Sequence, residues 1–383
     1  MQRKYFYWSI FIPLILLEEG CKVNYDPPVS TSKLHYLVVE GYINANGETT
    51  INLSRTRNIT WGDTARYQYE LNAKVVIENS YGEVFPLTEN REGVYSGFYI
   101  FNSVGAKYRL RIITSDNKEY LSDLVSLKNS PPLDLGWKFN DEGDVQIYAN
   151  SQDATNKTHF YRWIYSETWE FHTPFYSILK YNPVDSTVID RTVPVNVCYR
   201  TTNSSNIILG SSAKLKQDVI HEGPVVLVPD HDRRISVLYS AFVTEYALDS
   251  AGYNYWNAMK SNTENVGFIF DPQPNLTRGN IHSITDSSEL VIGYIGAGTT
   301  QQERIFIRNS ELPADWNEIP DCIVTEVRNI KDSLYDNFHA DAFVPIEVGQ
   351  QSLSGGVETY LSSSGMCVDC TLTGTLTKPS FWP

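Results

Sequence analysis

The chain contains few of the residue types and none of the long apolar segments after residue 21 by which several large classes of protein are recognised. Among its 383 residues there are 3 Met and 5 Cys, and 31 Lys and Arg stand against 45 Asp and Glu. The net charge of -14 repels phosphate backbones and anionic lipid surfaces, so we expect no nucleic-acid binding and no broad electrostatic attachment to a membrane. Beyond residue 21 no run is apolar and long enough to cross a bilayer as a helix.

Catalytic and cofactor motifs are missing as well. The sequence contains no G-x-S-x-G, no H-E-x-x-H and no Gly-rich phosphate loop. Its densest polar cluster is Asp230-His231-Asp232, but neighbouring residues of a strand alternate between faces and do not converge on one ion. We therefore expect a solvated turn there, and a protein with no catalytic residues, no metal and no cofactor, which is not an enzyme.

Aromatic residues are plentiful, with 25 Tyr, 16 Phe and 8 Trp, and they favour β-strands. Within residues 34–130, short segments alternate apolar and polar positions; Ile51 and Leu53, for example, share one face. This pattern predicts a mainly β protein that opens with an immunoglobulin- or transthyretin-like β-sandwich. Pro131-Pro132 marks its end.

Residues 131–383 are predicted to form a larger β-rich domain with one or two short helices. Residues 225–228 and 235–243 flank the polar run PDHDRR, which predicts a hairpin. Asp249 or Ser250 precedes a segment with helical spacing and is the expected N-cap of a helix.

The N-terminus has the order of a bacterial export signal. Arg3 and Lys4 precede an apolar stretch over residues 5–17, and Gly20 stands directly before Cys21. A small residue before a cysteine is typical of a lipobox, in which the cysteine is acylated and becomes the new N-terminus. Acyl chains on Cys21 would anchor the protein stably in a membrane.

Residues 1–20 are accordingly predicted to be a signal peptide, and residues 21–33 a lipid anchor and tether rich in Pro, Ser and Thr. Glu18 and Glu19 depart from the usual lipobox. An ordinary export signal followed by a free Cys21 is therefore the alternative.

Four cysteines remain, and an even set in an exported protein predicts two disulfides. Cys367 and Cys370 are close in sequence, so we expect them to pair, and Cys198 is then left to pair with Cys322. The C-x-x-C spacing also occurs in metal and redox sites, which are the alternatives.

Two groups of aromatic residues are candidates for contacts beyond the core. Trp169, Phe171, Phe175 and Tyr176 crowd a strand and the loop after it, where they would stack on sugars or on a partner; core packing is the alternative. At the C-terminus, Phe381 and Trp382 are costly to leave in water. We expect this tail to dock on its own domain, with insertion into a partner as the alternative.

Several segments together resemble a known family: LVVEGYINANGETTINLSRT, YRWIYSETWEF, FDPQPNLTRGN and CVDCTLTGTLTKPSFWP. In this order they closely resemble the DUF4249 family of Bacteroidota lipoproteins. The resemblance implies a lipid-anchored protein of the outer membrane, at its periplasmic face or at the cell surface. It also implies an accessory or binding subunit beside a TonB-dependent transporter or another outer-membrane protein. A stand-alone surface protein that binds carbohydrate or peptide, and a hydrolase with scattered catalytic residues, are the alternatives.

The same resemblance directs attention to the aspartate–Ser/Thr–apolar sequon that this phylum uses for O-glycosylation. Thr64 and Ser186 are the better candidates among its matches, because both fall in expected loops.

Replacing Cys21 by Ser should release the protein from membranes into the soluble fraction, because the acyl chains would have no attachment site. Fractionation with labelled palmitate measures this. Absence of label from the unmodified protein would overturn the anchor prediction.

Overall fold

The computed structural model describes residues 35–57, 68–101, 103–264, 277–314, 316 and 321–383. The predicted signal peptide, the tether, Cys21 and Thr64 lie outside the described residues. The described chain forms two β-sandwiches and a smaller third layer.

Alternating apolar residues produce the short strands of the first part of the chain. Ile51 and Leu53 are fully buried while Asn52 between them is exposed, as the sequence pattern predicts. The strands of this part are β1 (Leu37–Asn44), β2 (Asn46–Arg55), β3 (Gln68–Tyr69), β4 (Lys74–Asn79), β5 (Val84–Arg91), β6 (Val94–Ile100), β7 (Lys107–Ile113), β8 (Glu119–Ser122) and β9 (Val125–Ser126).

These strands belong to one continuous sheet that folds over on itself as a β-sandwich. Its order runs β8-β7-β4-β5-β6-β2-β1, and β5 pairs with strands of both halves. Leu37 and Val39 of β1 share one core with Leu110 and Ile112 of β7. The mainly β fold class expected from the sequence is confirmed.

The next part of the chain builds a second sandwich from two separate sheets. Its strands, with one detached hairpin (β13 and β14), are β10 (Leu133–Phe139), β11 (Val145–Gln152), β12 (Phe160–His172), β13 (Leu179–Asn182), β14 (Thr187–Asp190), β15 (Val197–Asn203), β16 (Ile208–Ser211), β17 (Val219–Val228) and β18 (Leu238–Leu248). β10-β11-β17 form one sheet, and β15-β12-β18 belong to the other. Ile147, Trp163 and Tyr239 are among the side chains buried between them.

The hairpin predicted for residues 225–228 and 235–243 is wrong. β17 pairs with β11 whereas β18 pairs with β12, so the two strands lie in opposite sheets. A 3₁₀ turn over Arg233–Ile235 connects them and buries Ile235 completely. The polar run therefore leads the chain from one sheet to the other. Ile235, which follows it directly, fills the core between the two sheets.

Helix α1 (Ser250–Glu264) follows β18 where the helical spacing predicts it. Asp249 is its cap: Oδ1 accepts a hydrogen bond of 2.7 Å from the backbone N–H of Gly252.

After α1 the chain returns to the first sandwich. β19 (Ile281–Ser283) pairs with β8, while β20 (Val291–Ile292) and β21 (Gly296–Gly298) lie parallel to β1. The predicted division into residues 34–130 and 131–383 is therefore corrected, since the first sandwich also takes strands from the later part. Strands of two or three residues show no periodicity from which a sequence reading can place them.

Strand β22 (Thr300–Arg308) then completes the five-stranded sheet beside β18. The part of the chain after residue 320 forms the third layer. Its elements are β23 (Thr325–Arg328), α2 (Lys331–Phe338), β24 (Phe343–Val348), β25 (Thr359–Ser364) and α3 (Gly365–Val368). Leu334 and Phe338 of α2 pack with Leu179 of the detached hairpin, and this cluster joins the layer to that hairpin.

Both disulfides are present, but the predicted pairing is wrong. Cys198 bonds to Cys370 and Cys322 to Cys367, with Cα–Cα distances of 5.7 and 5.9 Å. The backbone N–H of Cys370 donates to the carbonyl of Val195, which lays this segment beside β15 and beside Cys198. The prediction was wrong because it relied on closeness in sequence. A helical turn separates Cys367 from Cys370, and their sulfurs bond to Cys322 and Cys198.

The C-terminal tail docks on its own domain, in agreement with the sequence analysis. Trp382 is 6% exposed and packs with Tyr199, Leu238 and Phe306. Its Nε1 donates a 3.0 Å hydrogen bond to the carboxylate of Glu170.

Replacing Trp382 by Ala should lower the free energy of unfolding by about 3 kcal/mol, through lost burial and a cavity. Urea denaturation measures it. The matched control is Leu353→Ala, whose side chain is exposed and should leave stability unchanged. Equal midpoints for the two variants would show that the docked tail contributes nothing.

Candidate functional site

A groove of about 550 Å³ lies between the outer face of the first sandwich and the outer face of the five-stranded sheet. One wall comes from β1 and β2, the floor from β12, β18 and β22, and the far side from α1 and the loop between β15 and β16. The lining side chains are Glu40, Tyr42, Asn44, Glu48, Thr50, Asn52, Arg162, Ile164, Ser204, Ser205, Asn206, Ile207, Thr244, Tyr246, Trp256, Thr300 and Gln302.

Strand alternation decides which residues of β12 and β18 reach the groove. Tyr161 and Trp163 point into the core of the second sandwich, so Arg162 between them points outward. Arg162 stands opposite Tyr246 in the register, and both strands are paired on each side. These two strands of the floor therefore offer side chains held by a fully paired backbone.

Arg162 is the most unusual group in the groove. Its guanidinium carbon lies 3.5 Å from the centre of the Trp256 ring, and its Nε is buried without a hydrogen-bond partner. Among the described residues it forms no ion pair, whereas Arg109 and Arg111 both bind the carboxylate of Glu78. Burial lowers the pKa of Arg162, because the charge has lost water and gained little in exchange.

Aromatic rings and polar groups surround this arginine. Tyr42 and Tyr246 meet edge to face with ring centres 5.0 Å apart, and the Tyr42 hydroxyl donates to the carbonyl of Ala247 at 3.0 Å. Asn44 Nδ2 donates to Thr300 Oγ1 at 3.4 Å across the two sandwiches. Amides, hydroxyls, carboxylates and ring faces together suit a ligand rich in hydroxyl groups.

The candidate aromatics from the sequence do not form one exposed surface. Trp169 packs against the core of the second sandwich, and Phe175 against the cluster around Cys367. Phe171 is half-buried and lies against Gly374 of the tail. Tyr176 is exposed. The core-packing alternative therefore describes three of these side chains, and the groove uses other residues.

The remaining candidates lie apart from the groove. Ser186 occupies the turn of the detached hairpin, half-buried and with a positive φ of 57°. In the 230–232 cluster, His231 Nδ1 lies 3.1 Å from the carbonyl of Trp316 while Asp232 binds Arg234, so the three side chains have separate roles.

Two kinds of functional feature are absent from the described residues. No three His, Cys, Asp or Glu side chains in the described ranges stand together as metal ligands. No helix in that part of the chain has the length and apolar character to cross a membrane.

Sequence reasoning missed Arg162, although one signal was there. It is the one cation in the aromatic segment YRWIY, on the face opposite to its buried neighbours. Alternation along the strand places it opposite to Tyr161 and Trp163, but no pattern indicates that Trp256 packs on it or that the first sandwich forms a wall beside it.

The most perturbed carboxyl lies in the core instead of the groove. Glu245 is completely buried on β18, and burial raises its pKa to about 7. Ser151 Oγ and Trp163 Nε1 both donate to its Oε2, while its Oε1 has no partner. Enclosed between two sheets, this carboxyl affects stability.

The fold and the groove define a mainly β protein of two sandwiches, with two disulfides and a polar cleft between its domains. Residues 22–304 match the model of DUF4249, a domain of unknown function, and the chain belongs to this family. No curated protein matches it.

Glu245→Gln should remove a pH dependence from the stability of the protein. The ordinary carboxyl pKa of 4.5 is raised to about 7 in the folded state, so stability is fully present below 4.5 and is lost as pH rises towards 7. At about 1.4 kcal/mol per unit, the loss should reach about 3–4 kcal/mol by pH 8. Gln does not titrate, so its curve should be flatter.

Urea titrations at pH 5, 6, 7 and 8 measure this difference. The control is Glu358→Gln, an exposed carboxyl that should keep the slope of the unmodified protein. Parallel curves for all three proteins would contradict the assignment to Glu245.

Proposed function

We propose that this protein is a non-catalytic, lipid-anchored binding protein of the outer membrane. It holds a hydroxyl-rich ligand in the groove and acts as an accessory subunit of a TonB-dependent transporter. The ligand-binding part of this proposal is supported by the groove. The anchor is supported by the N-terminal sequence, and the transporter by the family resemblance.

The unpaired guanidinium of Arg162 is the observation that carries the binding proposal. A buried charge without a partner costs several kcal/mol, and structural arginines such as Arg55 and Arg234 avoid that cost through carboxylate partners. Arg162 lines an open groove instead, and its Nε is buried there without a hydrogen-bond partner. A ligand with two adjacent acceptor oxygens would accept two parallel hydrogen bonds from the guanidinium. These bonds would offset the free energy lost when the charge is desolvated.

The position of the carboxylates favours binding over glycoside hydrolysis. Hydrolysis requires two carboxyl groups that face each other across the sugar. Glu40 and Glu48 both stand on the wall formed by β1 and β2, and the floor strands contribute none to the lining. Two acceptors on one wall suit hydrogen bonds from ligand hydroxyls.

Arg162→Gln should weaken ligand binding by about tenfold or more, because it removes a charge-assisted, forked donor. Neutral and acidic oligosaccharides are titrated against the protein, with tryptophan fluorescence reporting on Trp256 and calorimetry giving the affinity. Arg328→Gln is the control, since Arg328 is exposed on β23. Equal affinities for both variants would exclude the groove as the site.

The transporter partnership has a separate test. Native protein extracted in mild detergent should migrate with a β-barrel transporter, and a stand-alone surface protein would migrate by itself. Arg162→Gln should leave this association intact, which separates partner binding from ligand binding.

A further inference from the structure

The floor of the groove continues beyond it along the outer face of the five-stranded sheet. At the far end of that face lies a second arginine, Arg304 of β22. Its guanidinium carbon lies 4.6 Å from the ring centre of Phe242 and 3.6 Å from that of Phe381. Its Nη1 donates to the hydroxyl of Ser240 at 3.0 Å. The pair of rings and the hydroxyl hold the cation in place without neutralising it.

Arg304 shares the peculiarity of Arg162. Neither has a carboxylate partner among the described residues, and burial lowers the pKa of both. Arg55, Arg111 and Arg234, which are also partly buried, each bind a carboxylate at 3.3 Å or less. The net charge of the chain is -14, so carboxylates are in excess. The lack of an ion pair at two guanidiniums on one face of one sheet therefore calls for an explanation.

The face between the two arginines carries no carboxylate. Alternation along β12, β18 and β22, whose residues are all described, places Ile164, Ser166, Thr244 and Gln302 there. The register separates the two arginine positions by four residues along the strands and by two strand spacings across them. Their Cα atoms are therefore about 16 Å apart. That separation exceeds a single sugar ring and fits a short oligomer.

We propose that the ligand is an acidic oligosaccharide, with carboxylate-bearing sugars, that lies across this face from Arg162 to Arg304. The inference rests on the proposed binding function and specifies its ligand. Forked hydrogen bonds to ligand carboxylates satisfy the two guanidiniums, and Glu40 and Glu48 on the opposite wall accept from ring hydroxyls.

A saccharide fits this floor better than an acidic peptide. Peptides that bind sheets pair their backbone with an open strand edge. β12 and β18 are both paired on each side, so a ligand that lies over them from Arg162 meets side chains only, and the open edge of the sheet is that of β22. Amide, hydroxyl and aromatic side chains recognise sugar hydroxyls and ring faces.

The experiment compares three ligand sets at matched length. The first contains oligomers of galacturonate, glucuronate and mannuronate, the second their neutral counterparts, and the third oligoglutamate. The full mature protein is titrated by calorimetry at two salt concentrations. Acidic oligosaccharides should bind at least tenfold more tightly than neutral ones, and salt should weaken only the acidic set.

Arg304→Gln should reduce the affinity for the acidic set about tenfold and leave the neutral set unchanged. Arg304→Lys keeps the charge and should recover part of the loss, and Arg328→Gln is the control. Thermal melting checks that each variant is folded.

Four results would overturn the inference. Neutral oligosaccharides binding as tightly as acidic ones would remove the acid preference and leave the binding function standing. Preferential binding of oligoglutamate would make the ligand a peptide. Equal losses for both saccharide sets in Arg304→Gln would make this arginine structural. If no set binds, the proposed function fails together with the inference.

Discussion

Strand β1 is paired on both sides, with β2 on one and with β20 and β21 on the other. The second contact brings the chain back to the first sandwich after it has built most of the second. It is tight: a Cβ on Gly298 would lie 2.0 Å from the carbonyl oxygen of Lys128, and one on Gly293 2.1 Å from that of Val39. β21 ends at Gly298 and β22 begins at Thr300, so the connection from the first sandwich to the five-stranded sheet is very short. The groove lies at this junction, since β1 supplies one wall and β22 supplies part of the floor.

The two faces of strand β12 differ in polarity and have opposite effects on stability. Its core face is apolar and includes Trp163, which packs in the second sandwich and donates to the buried Glu245. Its outer face carries Arg162, whose guanidinium lies against the Trp256 ring and is partly desolvated. One face stabilises the fold through burial. The outer face lowers the stability of the fold, because it carries a desolvated cation. Binding sites that are organised before the ligand arrives commonly have this cost.

Alternation was enough to predict the local structure, because it reflects a property of single strands. It placed Ile51 and Leu53 in the core, and helical spacing placed α1 with its Asp249 cap. It did not predict which strands meet. The crossing from β17 to β18, the return of β19 to β21 and both disulfide pairings depend on contacts between distant residues. The groove also depends on such contacts: Arg162 has an ordinary position in its strand, and only the approach of the first sandwich places it in a groove.

The link between Cys198 and Cys370 spans 172 residues and ends close to the last residue of the chain. Because a polypeptide is made from its N-terminus, this has a consequence for the order of folding. Strand β15 is made long before Cys370, its covalent partner, and before Trp382, which packs against Tyr199 of the same strand. The five-stranded sheet therefore lacks both the covalent link and the aromatic contact until 172 residues after Cys198 have been added. A product that stops before Cys370 has neither of them.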